Sequence, residues 1–92
     1  MPKFVMLGKY STEAIKGIKA ERTKKVVQMI EKAGGKVNAI YALLGNFDLL
    51  LLVELPSVSQ ALKVSVAITK LTGIGFTTSP AVSVEEFDKL AS

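Results

Sequence analysis

Two carboxylates, Asp48 and Glu54, flank the most apolar stretch of the chain. Paired carboxylates can serve as general acid and general base when they lie within about 10 Å of each other. A strand rises about 3.3 Å per residue, so these two carboxylates would lie about 20 Å apart, which excludes such a pair. We expect Asp48 to accept main-chain N–H groups of a turn, with a ligand amine as the alternative. We expect Glu54 to end a strand or to form an ion pair at an interface.

The only arginine, Arg22, interrupts the apolar face of the first helical segment. On a helical wheel it falls near the middle of the arc formed by Ile15, Ile18, Val26, Met29, Ile30 and Ala33. A guanidinium stays charged in such a place and needs a partner. Either the helix breaks near Ala20-Glu21, or the Arg22 side chain reaches a carboxylate, a carbonyl or a bound anion.

Two tyrosines and a lysine complete the candidate ligand contacts. Tyr10, Tyr41 and Lys9 are polar groups that we expect near a cavity between helices and sheet, where they would contact a ligand together with Asp48 and Arg22. Tyrosine with lysine can move protons if a pocket tunes them, although core packing is the simpler interpretation. The chain has no histidine and no cysteine, so Ser-His and Cys-His pairs and thiolate zinc sites are excluded. We predict no catalytic residue, no metal and no cofactor.

The composition indicates one small globular domain over residues 1–92. Hydrophobic residues make up 49% and charged residues 22% of the sequence, which is typical of a folded chain. The longest apolar run, Leu49 to Val53, is far shorter than the roughly 20 residues of a membrane-spanning helix. The absence of cysteine and of a signal-peptide pattern leads us to expect a cytoplasmic location and no membrane partner.

The net charge of +4 comes from one segment. Residues 11–36 hold seven of the 12 cationic residues but only three of the eight acidic ones. A surface that follows a nucleic-acid backbone would interleave aromatic residues with a stripe of cations, and this segment has no aromatic residue. We therefore interpret its lysines as a solvated face and expect no nucleic-acid partner.

The order of elements predicts the fold. A strand at 3–10 leads into a helix that begins at Ser11-Thr12 and ends at Ala33, before Gly34-Gly35. Strands at 36–44 and 48–55 are joined by Gly45-Asn46-Phe47. Capping boxes at Ser57 and Ser83 open a helix to about residue 72 and a short helix at 84–91, with a strand to residue 82 between them. The pattern β-α-β-β-α-β predicts a ferredoxin-like α+β domain with a four-stranded antiparallel sheet and both long helices on one face.

The third predicted strand is apolar on both faces. Leu49, Leu51, Val53 and Leu55 point to one side, and Leu50 and Leu52 point to the other. The pattern does not say which set meets the helices, but helices on one face leave the other set exposed, and monomers rarely expose such a patch. We therefore predict a homodimer or a higher oligomer that associates through the sheet face, with Leu50, Leu52 and Glu54 at the interface.

The hairpin between the second and third strands resembles that of a known family. Gly45-Asn46-Phe47-Asp48 followed by LLLLVELP is similar to the Gly-Tyr-Asp hairpin of the GYD domain family, with Phe47 in place of the namesake tyrosine. Further similarities are KYSTEAI at 9–15, Arg22, Gly34-Gly35-Lys36 and Glu85-Glu86-Phe87. The resemblance implies a dimeric α/β-barrel and no established activity. Gly75 and Pro80 stand where basic residues are frequent in the family, which argues against an anion site on the last strand.

The same hairpin resembles the ligand-binding domain of leucine-responsive and asparagine-regulator transcription factors, which bind amino acids at subunit interfaces.

The sequence leaves two classes of function open. The first is a non-enzymatic module for small-molecule binding or assembly, with the ligand between helices and sheet or at the subunit interface. The alternative is a cofactor-independent enzyme, such as the monooxygenases and isomerases that share this barrel.

Overall fold

The computed structural model describes residues 1–92 and contains four strands and four helices. The strands are β1 (Lys3–Tyr10), β2 (Lys36–Ala42), β3 (Leu49–Glu54) and β4 (Ile74–Ala81). The helices are α1 (Thr12–Lys16), α2 (Ala20–Lys32), α3 (Val58–Thr72) and α4 (Val84–Ala91). None of these helices has both the length and the apolar composition that crossing a membrane requires.

The four strands form one antiparallel sheet in the order β2-β3-β1-β4. The first and third strands are therefore central, as the right-handed crossovers of this topology require. The register of the central pair places Phe4 opposite Val53 and Met6 opposite Leu51. The predicted ferredoxin-like α+β arrangement is confirmed.

The core lies between one face of the sheet and the two long helices. On β3 the side chains of Leu51 and Val53 are fully buried, whereas Leu50 and Leu52 between them are only half-buried. Alternation with a period of two therefore separates a core face from an outer face, as the sequence pattern predicts. The residues that pack against the sheet from α2 and α3 are Val26, Ile30, Ala61, Val64 and Ile68.

Serine caps fix the starts of α3 and α4. The Ser57 Oγ accepts the Gln60 N–H at 3.2 Å, and the Ser83 Oγ accepts the Glu86 N–H at 3.0 Å. These bonds satisfy N–H groups that have no partner within the first helical turn. Only this serine half of each predicted capping box forms, because neither Gln60 nor Glu86 returns a side-chain bond.

The first helical segment is broken, so the predicted continuous helix from residue 12 to residue 33 is wrong. Helix α1 ends at Lys16, and the next residue, Gly17, donates its N–H to the Glu13 carbonyl. Lys19 is extended, with φ −167° and ψ 155°, and α2 begins after it. The break lies just before Ala20, which agrees with the first of the two alternatives that the position of Arg22 left open.

The two edge strands are irregular at their borders. The pairing of β2 with β3 shifts between Val37 and Ala39, which marks a bulge on the β2 edge. On the other edge, Pro80 of β4 lies opposite Phe4 and has no N–H to donate. The connection from β2 to β3 spans residues 43–48, longer than the predicted three residues, because β2 ends at Ala42.

The outer face of the sheet carries apolar side chains in two cross-strand rows. Val5 lies opposite Leu52, and Leu7 lies opposite Leu50; all four side chains are half-buried. Tyr41 extends the second row from β2, and its side chain is 59% exposed. The two long helices pack on the opposite face, so this apolar surface remains partly open to water.

Candidate functional site

Arg22 lies in the first turn of α2, at the corner where α1 and α2 meet. Its Nη1 donates a hydrogen bond to the carbonyl oxygen of Ala14, a buried residue of α1, at 2.5 Å. Its guanidinium carbon lies 5.6 Å from the centroid of the Tyr10 ring, within the range of a cation–π contact. Of the partners considered from the sequence, Arg22 therefore has a carbonyl and no carboxylate.

The half-buried guanidinium retains free donors. Its bond to Ala14 is the one side-chain hydrogen bond that Arg22 makes, so its remaining N–H groups have no protein acceptor. The single ion pair of the structure joins Lys19 and Glu21 at 3.9 Å and does not include Arg22. The positive charge of Arg22 is therefore not neutralised within the chain.

An open groove, with a volume of about 400 Å³, lies beside Arg22. It separates the α1–α2 junction from the C-terminal end of α3. The side chains that line it are Glu13, Lys19, Arg22, Lys25, Thr69, Lys70, Leu71 and Thr72. We call this space the cationic groove, because four of these side chains are cationic and one is acidic.

Gly73 brings the two walls of the cationic groove together. It ends α3 in the left-handed conformation, with φ +78°, and its Cα approaches α1 closely. A Cβ atom at Gly73 would lie 2.8 Å from the Ser11 Oγ and 3.6 Å from the Ala14 nitrogen. The sequence predicts Gly73 as a turn or close-approach glycine, and it serves both purposes.

A second, much smaller pocket lies on the inner side of Arg22, between the helices and the sheet. Its volume is about 40 Å³, close to the share of one water molecule in the liquid. Its lining is mostly apolar and consists of Tyr10, Arg22, Thr23, Val26, Ile40, Leu49, Leu51 and Ile74. A further pocket of about 90 Å³, also mostly apolar, lies between α3 and the sheet. The spaces between helices and sheet are therefore small in a single chain, and the larger polar space lies outside them.

The side chain of Asp48 forms a hydrogen bond with the main chain of β1. Its Oδ2 accepts the Tyr10 N–H at 2.8 Å, and its own N–H donates to the Gly8 carbonyl at 2.8 Å. The carboxylate thus supplies an acceptor just beyond the paired ends of β1 and β3. This geometry supports the turn role considered from the sequence, and contact between Asp48 and a ligand stays a prediction.

The other candidate contacts lie apart from Arg22. The Lys9 Nζ donates to the Asn46 carbonyl at 2.9 Å, in the connection between β2 and β3. Tyr41 lies on the outer face, across the sheet from Arg22. The structure brings the side chains of Tyr10 and Arg22 together, and the Asp48 carboxylate binds the main-chain N–H of Tyr10 beside them. The side chains of Lys9 and Tyr41 do not lie in this group. Ligand contacts of Lys9 and Tyr41 also stay predictions.

The three predicted interface residues share the outer face. Leu50, Leu52 and Glu54 are all half-buried there. Glu54 lies between Lys3 on β1 and Lys36 on β2 in the strand register, and neither lysine forms an ion pair with it. Their contact with a second copy stays a prediction.

The sequence did not predict the lysines of the cationic groove as part of a site. Lys19, Arg22 and Lys25 are spaced three residues apart and line one wall, and Lys70 faces them from α3. The i, i+3 spacing within α2 is visible in the sequence, but the position of Lys70 depends on how α3 packs. No group of three acidic side chains lies close enough to hold a metal ion.

Comparisons with known proteins agree with this geometry at the level of the fold. The chain is similar to the crystal structure of the Mycobacterium tuberculosis leucine response regulatory protein LrpA, with a TM-score of 0.59 and 10% sequence identity. The similarity covers 89% of this chain and 51% of LrpA, so the chain spans about half the length of that protein. No curated protein sequence matches the chain. Residues 4–91 match the GYD domain, and the chain therefore belongs to the GYD domain family.

Proposed function

We propose that this chain is a cytoplasmic, non-enzymatic module that pairs with a second copy and binds a small molecule beside Arg22. The strongest support is the state of the Arg22 guanidinium. It is half-buried at an open groove and is held by one carbonyl and one aromatic ring, without a carboxylate. A partly desolvated cation in this position is stabilised when an acidic or hydrogen-bonding ligand binds its free N–H groups.

The outer face of the sheet supports the pairing. Val5, Leu7, Leu50 and Leu52 form a continuous apolar surface across the two central strands. The terminal helix α4 has no buried residue and adds an apolar side that is mostly exposed, with Val84 at 74%, Phe87 at 58% and Leu90 at 72% exposure. Burial of such surfaces against a second copy would contribute about 25 cal/mol per Å² of apolar area.

The alternative, a cofactor-independent enzyme of the dimeric α/β-barrel type, has less support. Such an enzyme would hold its substrate between helices and sheet, where the two pockets of one protomer are about 40 and 90 Å³ and mostly apolar. Among the side chains that line these pockets, Tyr10 is the one of a residue type that commonly transfers protons. The geometry therefore favours binding over turnover.

Light scattering of the full chain tests the pairing. We expect a particle of twice the 9.8 kDa chain mass at micromolar concentration. Leu50→Lys and Leu52→Lys should shift it towards the monomer, because each places a charge in the apolar surface. Leu62→Lys is the matched control, since Leu62 is exposed on the helix side. A wild-type particle of 9.8 kDa would contradict the pairing.

A thermal-shift screen of the full chain against amino acids, aromatic acids, nucleotides and phosphorylated metabolites tests the binding. A ligand that binds only the folded state raises the melting temperature. We expect at least one such ligand, whose effect is lost in Arg22→Gln. No shift with any compound would contradict the binding and would leave an assembly role.

A further inference from the structure

We propose that the cationic groove binds a small, multiply charged oxyanion of the phosphate-ester or polycarboxylate type. This inference rests on the proposed function, because it specifies the class of ligand that binds beside Arg22. It adds Lys25 and Lys70 to the site.

The charge of the groove is positive and largely unpaired. Four cations, Lys19, Arg22, Lys25 and Lys70, line it against Glu13 alone. The one ion pair near it joins Lys19 to Glu21, which does not line the groove, and both side chains are mostly exposed. Water screens such an exposed pair, so it offsets little of the positive potential. A ligand with a single negative charge would leave most of this potential uncompensated.

The free hydrogen-bond donors of the groove are also cationic. The Thr69 hydroxyl lies within hydrogen-bond distance of the Ser65 and Ile74 carbonyls, at 2.9 and 2.7 Å. The Thr72 hydroxyl donates to the Ile68 carbonyl at 2.7 Å. Both threonines have therefore committed their single donor to the main chain. What remains is the set of ammonium groups and the free N–H groups of Arg22, which suit the oxygens of phosphates and carboxylates.

The position of Arg22 is fixed before a ligand arrives. The Ala14 carbonyl holds its Nη1, and the Tyr10 ring lies beneath its guanidinium carbon. Gly17 leaves space for this arrangement, because a Cβ atom there would lie 3.0 Å from Nη1. An arginine that is already ordered loses little rotamer entropy when it binds, so it contributes more affinity than a free side chain.

The lining selects against other ligands. Leu71 is the single apolar residue of the groove, and no aromatic ring lines it. A hydrophobic ligand would therefore find little apolar surface, and a nucleic-acid strand would find no ring on which a base could stack. The volume of about 400 Å³ is in the range of pockets that bind small molecules.

Calorimetric titration of the full-length chain at low salt, with pyrophosphate and with citrate as separate probes, tests the inference. We expect Lys25→Gln and Lys70→Gln each to weaken binding by about ten-fold, through the loss of one charge-assisted contact. Lys63→Gln is the matched control, because Lys63 lies two turns earlier on α3 and outside the groove. Affinity should also fall as salt rises, since these charges are open to solvent.

The two probes distinguish the two classes of ligand that carry several negatively charged oxygens, phosphate esters and polycarboxylates. Tighter binding of pyrophosphate would identify phosphate esters, and tighter binding of citrate would identify polycarboxylates; either supports the inference. The amide resonances of Gly17 and Gly73 should shift on titration, because both residues line the groove. Arg22→Gln should weaken binding as well, but it also removes a contact within the fold, so the lysine variants are decisive.

Three results would overturn the inference. The first is no binding of either probe at millimolar concentration. The second is an equal loss in Lys63→Gln and Lys70→Gln, which would indicate nonspecific charge. The third is binding of a short single-stranded oligonucleotide in preference to both probes. If a neutral or singly charged ligand instead bound in a way that depended on Arg22 but not on Lys25 or Lys70, the proposed function would stand and this inference would fall.

Discussion

The carboxylate of Asp48 accepts the main-chain N–H of Tyr10 at 2.8 Å, although the two residues are 38 positions apart in the chain. The bond ties the start of β3 to the end of β1, directly beside the corner at which Arg22 contacts the Tyr10 ring. Asp48 thus fixes the main chain of Tyr10, whose ring contacts the Arg22 guanidinium.

Asp48→Ala should lower the free energy of unfolding by about 1–3 kcal/mol, because the half-buried N–H of Tyr10 loses its acceptor. Urea denaturation measures the change. Asp48→Asn keeps an acceptor oxygen and should cost less. Asp88→Ala is the control, since Asp88 is an exposed carboxylate on α4. Equal stability of the two alanine variants would contradict this role.

Arg22→Met should destabilise the fold by about 1–3 kcal/mol, because the buried carbonyl of Ala14 loses its bond to the guanidinium. The apolar stem is retained, so packing changes little. Lys24→Met, at an exposed position of the same helix, serves as the control and should change the unfolding midpoint only slightly. A neutral effect of Arg22→Met would show that the contact does not stabilise the corner.

Gly73→Ala should destabilise the fold by more than about 1 kcal/mol, because alanine is strained at φ +78° and its Cβ would approach the Ser11 Oγ. Gly75→Ala is the matched control, since no atom lies within 4 Å of a Cβ there and its φ is not positive. Thermal unfolding should rank the two variants in this order. The reverse order would contradict the close approach of Gly73 to Ser11 and Ala14.

Leu51→Ala should cost about 2–5 kcal/mol, because it leaves a cavity in a fully buried site. Leu62→Ala, at a position that is 63% exposed, should cost much less. Chemical denaturation measures both. Similar losses at the two positions would mean that the core does not lie between the sheet and the helices.

The fold could be predicted because its signals are local. The unbroken apolar run from Leu49 to Val53 indicates β3 without reference to any other element, and Ser57 and Ser83 mark two helix starts in the same way. Which face of β3 meets the helices could not be read from that run, because both of its faces are apolar. Strand ends differ from prediction by two residues or fewer, as at Ala42, where pairing stops before the apolar pattern does.

The site could be predicted only in part, because it depends on contacts between distant segments. The sequence indicates that Arg22 needs a partner, but the carbonyl of Ala14 becomes available only when the helix breaks at Gly17. Lys70 reaches the groove because Gly73 allows α3 to approach α1. Neither event leaves a periodic pattern in the sequence.

The borders of the sheet limit how copies of this chain can assemble. Strand addition requires an uninterrupted row of main-chain donors and acceptors, and the bulge between Val37 and Ala39 disrupts that row on one border. Pro80 removes a donor on the other. Growth of a continuous ribbon from sheet to sheet is therefore disfavoured at both borders, although the third strand is apolar on both faces.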